Sequence, residues 1–250
     1  QRAMAIGARR YGIGFGSRDR AGPVRGPLGQ ITPACHARQQ CARRPGQTDF
    51  SPMPLRALYV DFNSYFASAE QQLDPRLRGR PVAVLPVMAE TTCCIAASYE
   101  AKRCGVKTGT PVAEARKLCP DICFVEARPA AYVELHHKLV EAIESCLHVE
   151  RVMSIDEVAC RLTGSDRRRE RAQALADRIK HTIAECVGSE LCSSIGIAPN
   201  IFLAKVASDM QKPDGCVVIE EADLPECLYG LDLRALCGIG RAMEQRLHRH

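Results

Sequence analysis

The chain has 250 residues, 46% of them hydrophobic, with a formal net charge of +5, enough for one large globular domain or two small ones. No run of about 18 apolar residues occurs, so no segment reads as a transmembrane helix. The positive balance lies in residues 1–52, which hold nine Arg, no Lys and two Asp, whereas the rest carries 25 basic and 27 acidic residues. Net charge is therefore no argument for a nucleic-acid partner; a basic surface has to come from local clustering.

Residues 1–52 also hold eight Gly and five Pro, without sustained periodicity. Gly12-Ile13-Gly14-Phe15-Gly16 echoes a phosphate loop but lacks the strand before it and the helix after it. The Arg-rich, acid-poor composition suggests a transit peptide, yet Ser17 and Ser51 are its only serines and its amphipathic pattern is weak. The expectation is a disordered leader outside the fold, with Met53 as the natural start.

From Leu55 the pattern is regular. Residues 55–61 read as a strand, and Ser64 to Gln72 as a helix stopped by Asp74-Pro75. Pro81 to Leu85 is a short buried strand and Thr91 to Ala97 an extended segment. Tyr99 to Cys104 is a short helix ending at Gly105. Pro111 to Cys119 is a helix with Pro in its first turn, and Ile122 to Val125 a strand. In Ala131 to Leu147, Tyr132, Leu135, Leu139, Ile143 and Leu147 recur three or four apart, the mark of an amphipathic helix. His148 to Ile155 is a β-like run, followed by a second long helix over 166–187. Ser193 to Ala198 and Val217 to Ile219 are strands; Asn200 to Met210 and Ala222 to Tyr229 are helices. Strands alternating with helices predict an α/β protein.

Fourteen cysteines raise a metal or disulfide framework. Their spacing argues against both, since Cys93-Cys94 are adjacent, Cys119 and Cys123 are four apart, and no paired C-x-x-C units occur. Reduced, buried thiols of a cytosolic protein are the expectation.

Two stretches carry candidate chemistry. The apolar run Ala57-Leu58-Tyr59-Val60 ends in Asp61, and the run before Ser154-Ile155 ends in Asp156-Glu157. Neighbouring side chains of a strand point to opposite faces, so Asp156 and Glu157 converge only where a strand tip or bulge turns the chain. Two strands side by side, each ending in an acid, suit a pair of Mg²⁺ ions on phosphate oxygens. Acids at strand ends are also ordinary solvated turn residues. Further on, Leu236-Cys237-Gly238-Ile239-Gly240-Arg241 precedes a helical start, Ala242 to Leu247. Such a turn points backbone N–H groups at an anion such as a DNA phosphate, or is simply a glycine cap followed by an unrelated helix.

The surrounding motifs resemble the Y-family (translesion) DNA polymerases, on their DinB (polymerase IV/kappa) side, from about Met53 to the last residue. Tyr59-Val60-Asp61-Phe62-Asn63-Ser64-Tyr65-Phe66 looks like the family's first motif and Ser154-Ile155-Asp156-Glu157 like its second. Tyr99-Glu100-Ala101-Lys102-Arg103 looks like the finger motif. Ser194-Ile195-Gly196-Ile197 with Leu203-Ala204-Lys205-Val206-Ala207-Ser208, and Asp209-Met210-Gln211-Lys212-Pro213-Asp214-Gly215, complete the series. Two departures stand out. Lys102 lies where Arg is usual, and Val158-Ala159-Cys160-Arg161 follows Glu157 where the family often has Ala-Tyr-Leu-Asp.

The resemblance implies a ferredoxin-like palm (53–75 and 131–220), inserted fingers (76–130) and the start of a helix-hairpin-helix thumb (221–250), with the little finger absent. It implies that Asp61 and Asp156 bridge two Mg²⁺ ions, helped by Glu157 and the Phe62 carbonyl. Phe66 would exclude a 2′-OH, whereas on a bare helix it would be a core aromatic. Tyr99, Lys102, Arg103 and Lys212 would hold the triphosphate; outside the motifs the lysines would be solvated surface residues. Gly238, Ile239 and Gly240 would meet DNA, and Lys205 would belong to the scaffold, with room for a stabilising role. The activity implied is template-directed, low-fidelity, low-processivity synthesis past lesions by a monomer acting on primer–template DNA and dNTPs, in the bacterial cytoplasm at the nucleoid. A sliding clamp would be a partner through a segment beyond His250. A catalytically silent DNA-binding homologue is the alternative, and the intact carboxylates count against it. Another palm-type enzyme, such as a nucleotidyl cyclase, would leave Phe66 and the finger motif unexplained.

Overall fold

The computed structural model describes residues 54–249; the expectations for residues 1–52 lie outside the described residues. The elements in order are β1 (Ala57–Phe62), α1 (Tyr65–Leu73), β2 (Val82–Leu85), β3 (Ala96–Ala97), α2 (Tyr99–Arg103), α3 (Val112–Leu118), β4 (Cys123–Glu126) and α4 (Pro129–Glu144). There follow β5 (Val149–Ser154), β6 (Glu157–Arg161), α5 (Arg169–Cys186), β7 (Ser193–Ala198), α6 (Ile201–Met210), β8 (Cys216–Val218) and α7 (Arg241–Leu247).

The larger sheet runs β5-β6-β1-β7-β8. β1 lies between antiparallel β6 and β7, and β8 joins β7 in parallel. Taken with α4 and α5, strands β1, β5, β6 and β7 form a βαββαβ unit whose outer hairpin and crossovers are those of a ferredoxin-like sheet. All six residues of β1 are buried, as a central strand covered on both faces requires. Its side chains alternate between two cores. Leu58, Val60 and Phe62 join the core built with α1, α4 and α5, whereas Ala57 and Tyr59 join the one under α6. By the same period of two, Asp61 stands on the α6 face.

α6 lies very close to β7, and glycine is the reason. A Cβ at Gly196 would come within 1.9 Å of the Ala204 carbonyl oxygen and 2.5 Å of the Ser208 nitrogen. Ser194, Gly196 and Ala198 alternate on that strand, which leaves room for the helix. Asn200 caps α6, its Oδ1 accepting from the Leu203 N–H at 2.9 Å, the arrangement that fixes a helix start.

The smaller sheet, β3-β2-β4, pairs β2 with β3 antiparallel and with β4 in parallel. Ala83 and Leu85 of β2 pack into a separate core with α2 and α3, while Val84 points back into the main core.

The cysteines are not the buried thiols expected, since among the described residues only Cys94, Cys119 and Cys160 are buried and Cys93, Cys104, Cys186, Cys192 and Cys237 are exposed. The elements differ from the sequence reading in four places. Residues 222–229 form no helix. They make two 3₁₀ turns, Glu221–Asp223 and Glu226–Leu228, on either side of Pro225, whose ring has no N–H and blocks a helix interior. The second long helix starts at Arg169, after a 3₁₀ turn over Gly164–Arg167. Of the extended segment 91–97 only Ala96–Ala97 is a strand, with a bridge from Cys93 to Pro111. β5 is not the neighbour of β1; β6 lies between them.

Candidate active site

The hairpin tip between β5 and β6 makes the two acids converge. Ser154 ends β5, Glu157 begins β6, and Ile155-Asp156 form the turn. Glu157 is the cross-strand partner of Asp61, and the Phe62 N–H donates to the Asp156 carbonyl at 2.9 Å. The tip is thus fastened to the end of β1, and Asp61, Asp156 and Glu157 line one cavity of about 370 Å³ together with Phe62 and Phe66. Ser154 Oγ lies 2.6 Å from Asp156 Oδ1 and 3.3 Å from Glu157 Oε2. Its single proton serves one of them at a time.

Two lysines hold the carboxylates. Lys205 Nζ sits 2.5 Å from Asp61 Oδ2, 2.8 Å from Glu157 Oε1 and 3.1 Å from Asp209. Lys212 Nζ reaches the other Asp61 oxygen at 2.7 Å and Asp209 at 2.8 Å. Asp61 is only 5% exposed, so these are charge pairs with little water to screen them. Burial alone would lower the pKa of Lys205, but hydrogen bonds to Asp61 and Glu157 outweigh it and raise it. Lys212 is raised in the same way, through Asp209 and Asp61. Burial pushes Glu157 up, yet Lys205, with Tyr59 and Ser154, holds it below the usual carboxylate value.

The smaller sheet's side of the cavity contributes a third lysine. Lys102 of α2 lines the cavity, donates to Ser64 Oγ at 2.7 Å and lies over the Tyr99 ring, 4.5 Å from its centroid, within range for a cation–π contact. Its pKa is lowered by burial first and by the Lys212 charge second. Burial raises that of Tyr99. Phe66, which also lines the cavity, stacks on Tyr132, centroids 4.7 Å apart and planes 20° from parallel. Tyr132 OH donates to Glu70 Oε1 at 2.7 Å, and Glu70 is held by Arg128.

The site therefore gathers Asp61, Phe62, Phe66, Lys102, Asp156, Glu157 and Lys212, with Tyr99 against Lys102. Arg103 does not take part; it pairs with Glu100 at 3.7 Å and its side chain is 71% exposed. Gly238, Ile239 and Gly240 lie in the turn before α7, Gly238 with φ 89° and Gly240 at the helix N-cap. Sequence reasoning placed Lys205 in the scaffold and passed over Asp209 and Ser154. For Asp209 the signal was its i, i+4 spacing from Lys205 on α6, which puts the two on one helix face. Among the described residues no three His, Cys, Asp or Glu side chains form a ready metal-binding group. Ammonium groups lie between the carboxylates instead.

A family model, described as the impB/mucB/samB family, matches residues 60–209. The chain belongs to that family. DNA polymerase IV of Moorella thermoacetica is 41% identical over 192 residues, 76% of this chain and 48% of that protein. Among solved structures, a Y-family DNA polymerase chimera of Dbh and Dpo4 superposes with a TM-score of 0.71 at 30% identity, and DinB from Sulfolobus solfataricus with 0.68 at 30%. Each match covers 78% of this chain and 57% of the other. The resemblance to the DinB side of the Y family and the mixed α/β fold class are both borne out. The chain spans about half the length of the curated relatives it matches.

Proposed function

We propose that the chain carries the catalytic site of a template-directed DNA polymerase of the lesion-bypass type, which joins a dNTP to a primer 3′ end. The observation that supports it best is one cavity lined by three carboxylates from the five-stranded sheet, by Lys102 of α2 and by Phe66 of α1. In this reading 53–75 and 131–220 are the palm, 76–130 the fingers and 221–250 the beginning of a thumb, where Gly238, Ile239 and Gly240 meet a DNA phosphate.

The donor set suits a divalent metal. Asp61, Asp156 and Glu157 offer only hard oxygen donors, the ligands of Mg²⁺, and two ammonium groups already stand where positive charge is needed. Asp61, Asp156, Glu157 and the Phe62 carbonyl would hold two such ions, which would supply a lowered pKa for the attacking hydroxyl and charge neutralisation for the departing pyrophosphate. The protein's own work is positioning and charge. Lys212 and Lys102 hold triphosphate oxygens, Tyr99 steadies Lys102, and Phe66 sits under the sugar and collides with a 2′-OH. Lys205 keeps Asp61 and Glu157 together. A shallow site of this kind accounts for low fidelity and low processivity. Primer–template DNA and dNTPs are the partners, a sliding clamp is a further one, and a monomer at the bacterial nucleoid is the setting.

Single-nucleotide primer extension with Mg²⁺ tests the reading, at low salt because phosphate contacts weaken steeply as salt rises. Wild-type extension lost in Asp156→Ala, with an unchanged melting temperature, is the expected result. Equal extension by both proteins would overturn the metal assignment. A folded wild type that neither extends a primer nor binds a dNTP would point to a silent DNA-binding homologue.

A further inference from the structure

The loop that carries Lys212 is held by a residue from the other side of the sheet. It spans 211–215, between α6 and β8, and its inner side is tied to the strands beside the carboxylates. Ser194, which pairs opposite Asp61, donates to the Gln211 carbonyl at 3.1 Å, and the Gly215 N–H donates to Ser194 Oγ at 3.3 Å. Asn63, buried just past the end of β1, donates through Nδ2 to Ser194 Oγ at 3.1 Å. Its Oδ1 accepts the Asp214 N–H at 2.8 Å.

Asp214 is the critical link. Its φ is 56°, in the left-handed region that few residues besides glycine, asparagine and aspartate enter. Asn63 holds its N–H. Its carbonyl and its carboxylate are held by Lys180 of α5, whose Nζ donates to the carbonyl at 2.5 Å and to Oδ1 at 2.9 Å. α5 packs in the core on the face of the sheet opposite α6, and the Lys180 side chain is 19% exposed. With Asp214 largely exposed, the ion pair itself contributes little stability. What the lysine supplies is geometry, because it fixes the outer side of a turn whose inner side Asn63 and Ser194 already fix.

We infer that Lys180 is a positioning residue for the nucleotide: by clamping Asp214 it sets where the Lys212 ammonium stands relative to Asp61, and so how tightly the site holds a triphosphate. The inference rests on the reading of Lys212 as a triphosphate contact. It makes Lys180 act only through Lys212, which a purely structural lysine would not do.

The test uses the full 250-residue chain and titrates dATP with Mg²⁺ by calorimetry into wild type, Lys180→Met, Lys180→Arg, Lys212→Met and the double variant Lys180→Met/Lys212→Met. Melting temperatures and amide exchange at 211–215 are followed alongside. Losing a hydrogen bond from a charged donor predicts a dATP affinity about tenfold weaker in Lys180→Met, with faster exchange at 211–215 and recovery in Lys180→Arg. In the Lys212→Met background, Lys180→Met adds no further loss, because two residues acting through one contact are not additive. Asp214→Gly, which adopts φ 56° without strain and removes the carboxylate, weakens dATP in the same direction and stands in should Lys180→Met not fold. A folded Lys180→Met that binds dATP like wild type would overturn the inference while leaving the polymerase reading intact. So would a full additional loss in the double variant. A wild type that binds no dATP would overturn the polymerase reading, and this inference with it.

Discussion

The two walls of the cavity are built differently. The carboxylate wall belongs to the five-stranded sheet, where Asp61 sits in a fully buried strand and Glu157 is placed opposite it by register. A slip of one residue would turn every side chain of β1 to the wrong core. The cationic wall belongs to the three-stranded sheet, on the five-residue helix α2, and its working group is the end of a flexible lysine. Groups that hold a small ion need positions fixed by the backbone. Groups that meet a large, mobile triphosphate tolerate a long arm. The first wall should thus fail abruptly on substitution and the second by degrees.

The sharpest break is Asp61→Ala. It takes from Lys205 and Lys212 the carboxylate they share, leaving them Glu157 and Asp209, and a lost hydrogen bond between charged groups costs about 1.5–3 kcal/mol. Both primer extension and melting temperature should fall, whereas Asp156→Ala, on the half-buried hairpin tip, should lose only the extension. Equal stability of the two variants would show that Asp61 is not the electrostatic centre of the wall. Next comes Gly196→Ala. Its Cβ would press on the backbone of α6, and forcing a packed interface apart costs roughly 1–3 kcal/mol or more. α6 carries Lys205 and Asp209, so the melting temperature and the extension rate should drop together. A stable, fully active Gly196→Ala would mean that α6 does not position the site.

Much of this was readable in the sequence. Acids at the ends of apolar runs announced the carboxylate wall, and the condition that Asp156 and Glu157 need a strand tip is met by the two-residue turn. What stayed hidden was long-range. Phe66 meets Tyr132, and Lys180 meets Asp214, across stretches with no local periodicity to couple them. The role of Lys205 was hidden because it and Asp61 are 144 residues apart in the chain and meet only where α6 packs onto the sheet at Gly196. The helix expected at 222–229 failed for a local reason that was visible, Pro225 in its middle.

The smallest effects should come from the second wall, and they separate the two basic residues of α2. Lys102→Ala removes an exposed ammonium that lines the cavity, so the apparent dNTP affinity should weaken about tenfold, the worth of one charged hydrogen bond, with stability nearly unchanged. Lys102→Arg should bind at least as tightly as wild type, since a guanidinium offers two parallel donors where an ammonium is a point charge. Arg103→Ala breaks only an exposed pair with Glu100, and exposed pairs contribute about 0–1 kcal/mol. Affinity should stay within about twofold of wild type. If Arg103→Ala proved as damaging as Lys102→Ala, α2 would have to turn on nucleotide binding and bring its outer face to the triphosphate. The second wall would then be a moving element rather than a fixed surface with a flexible arm. Titrating both variants with the same dNTP decides between the two.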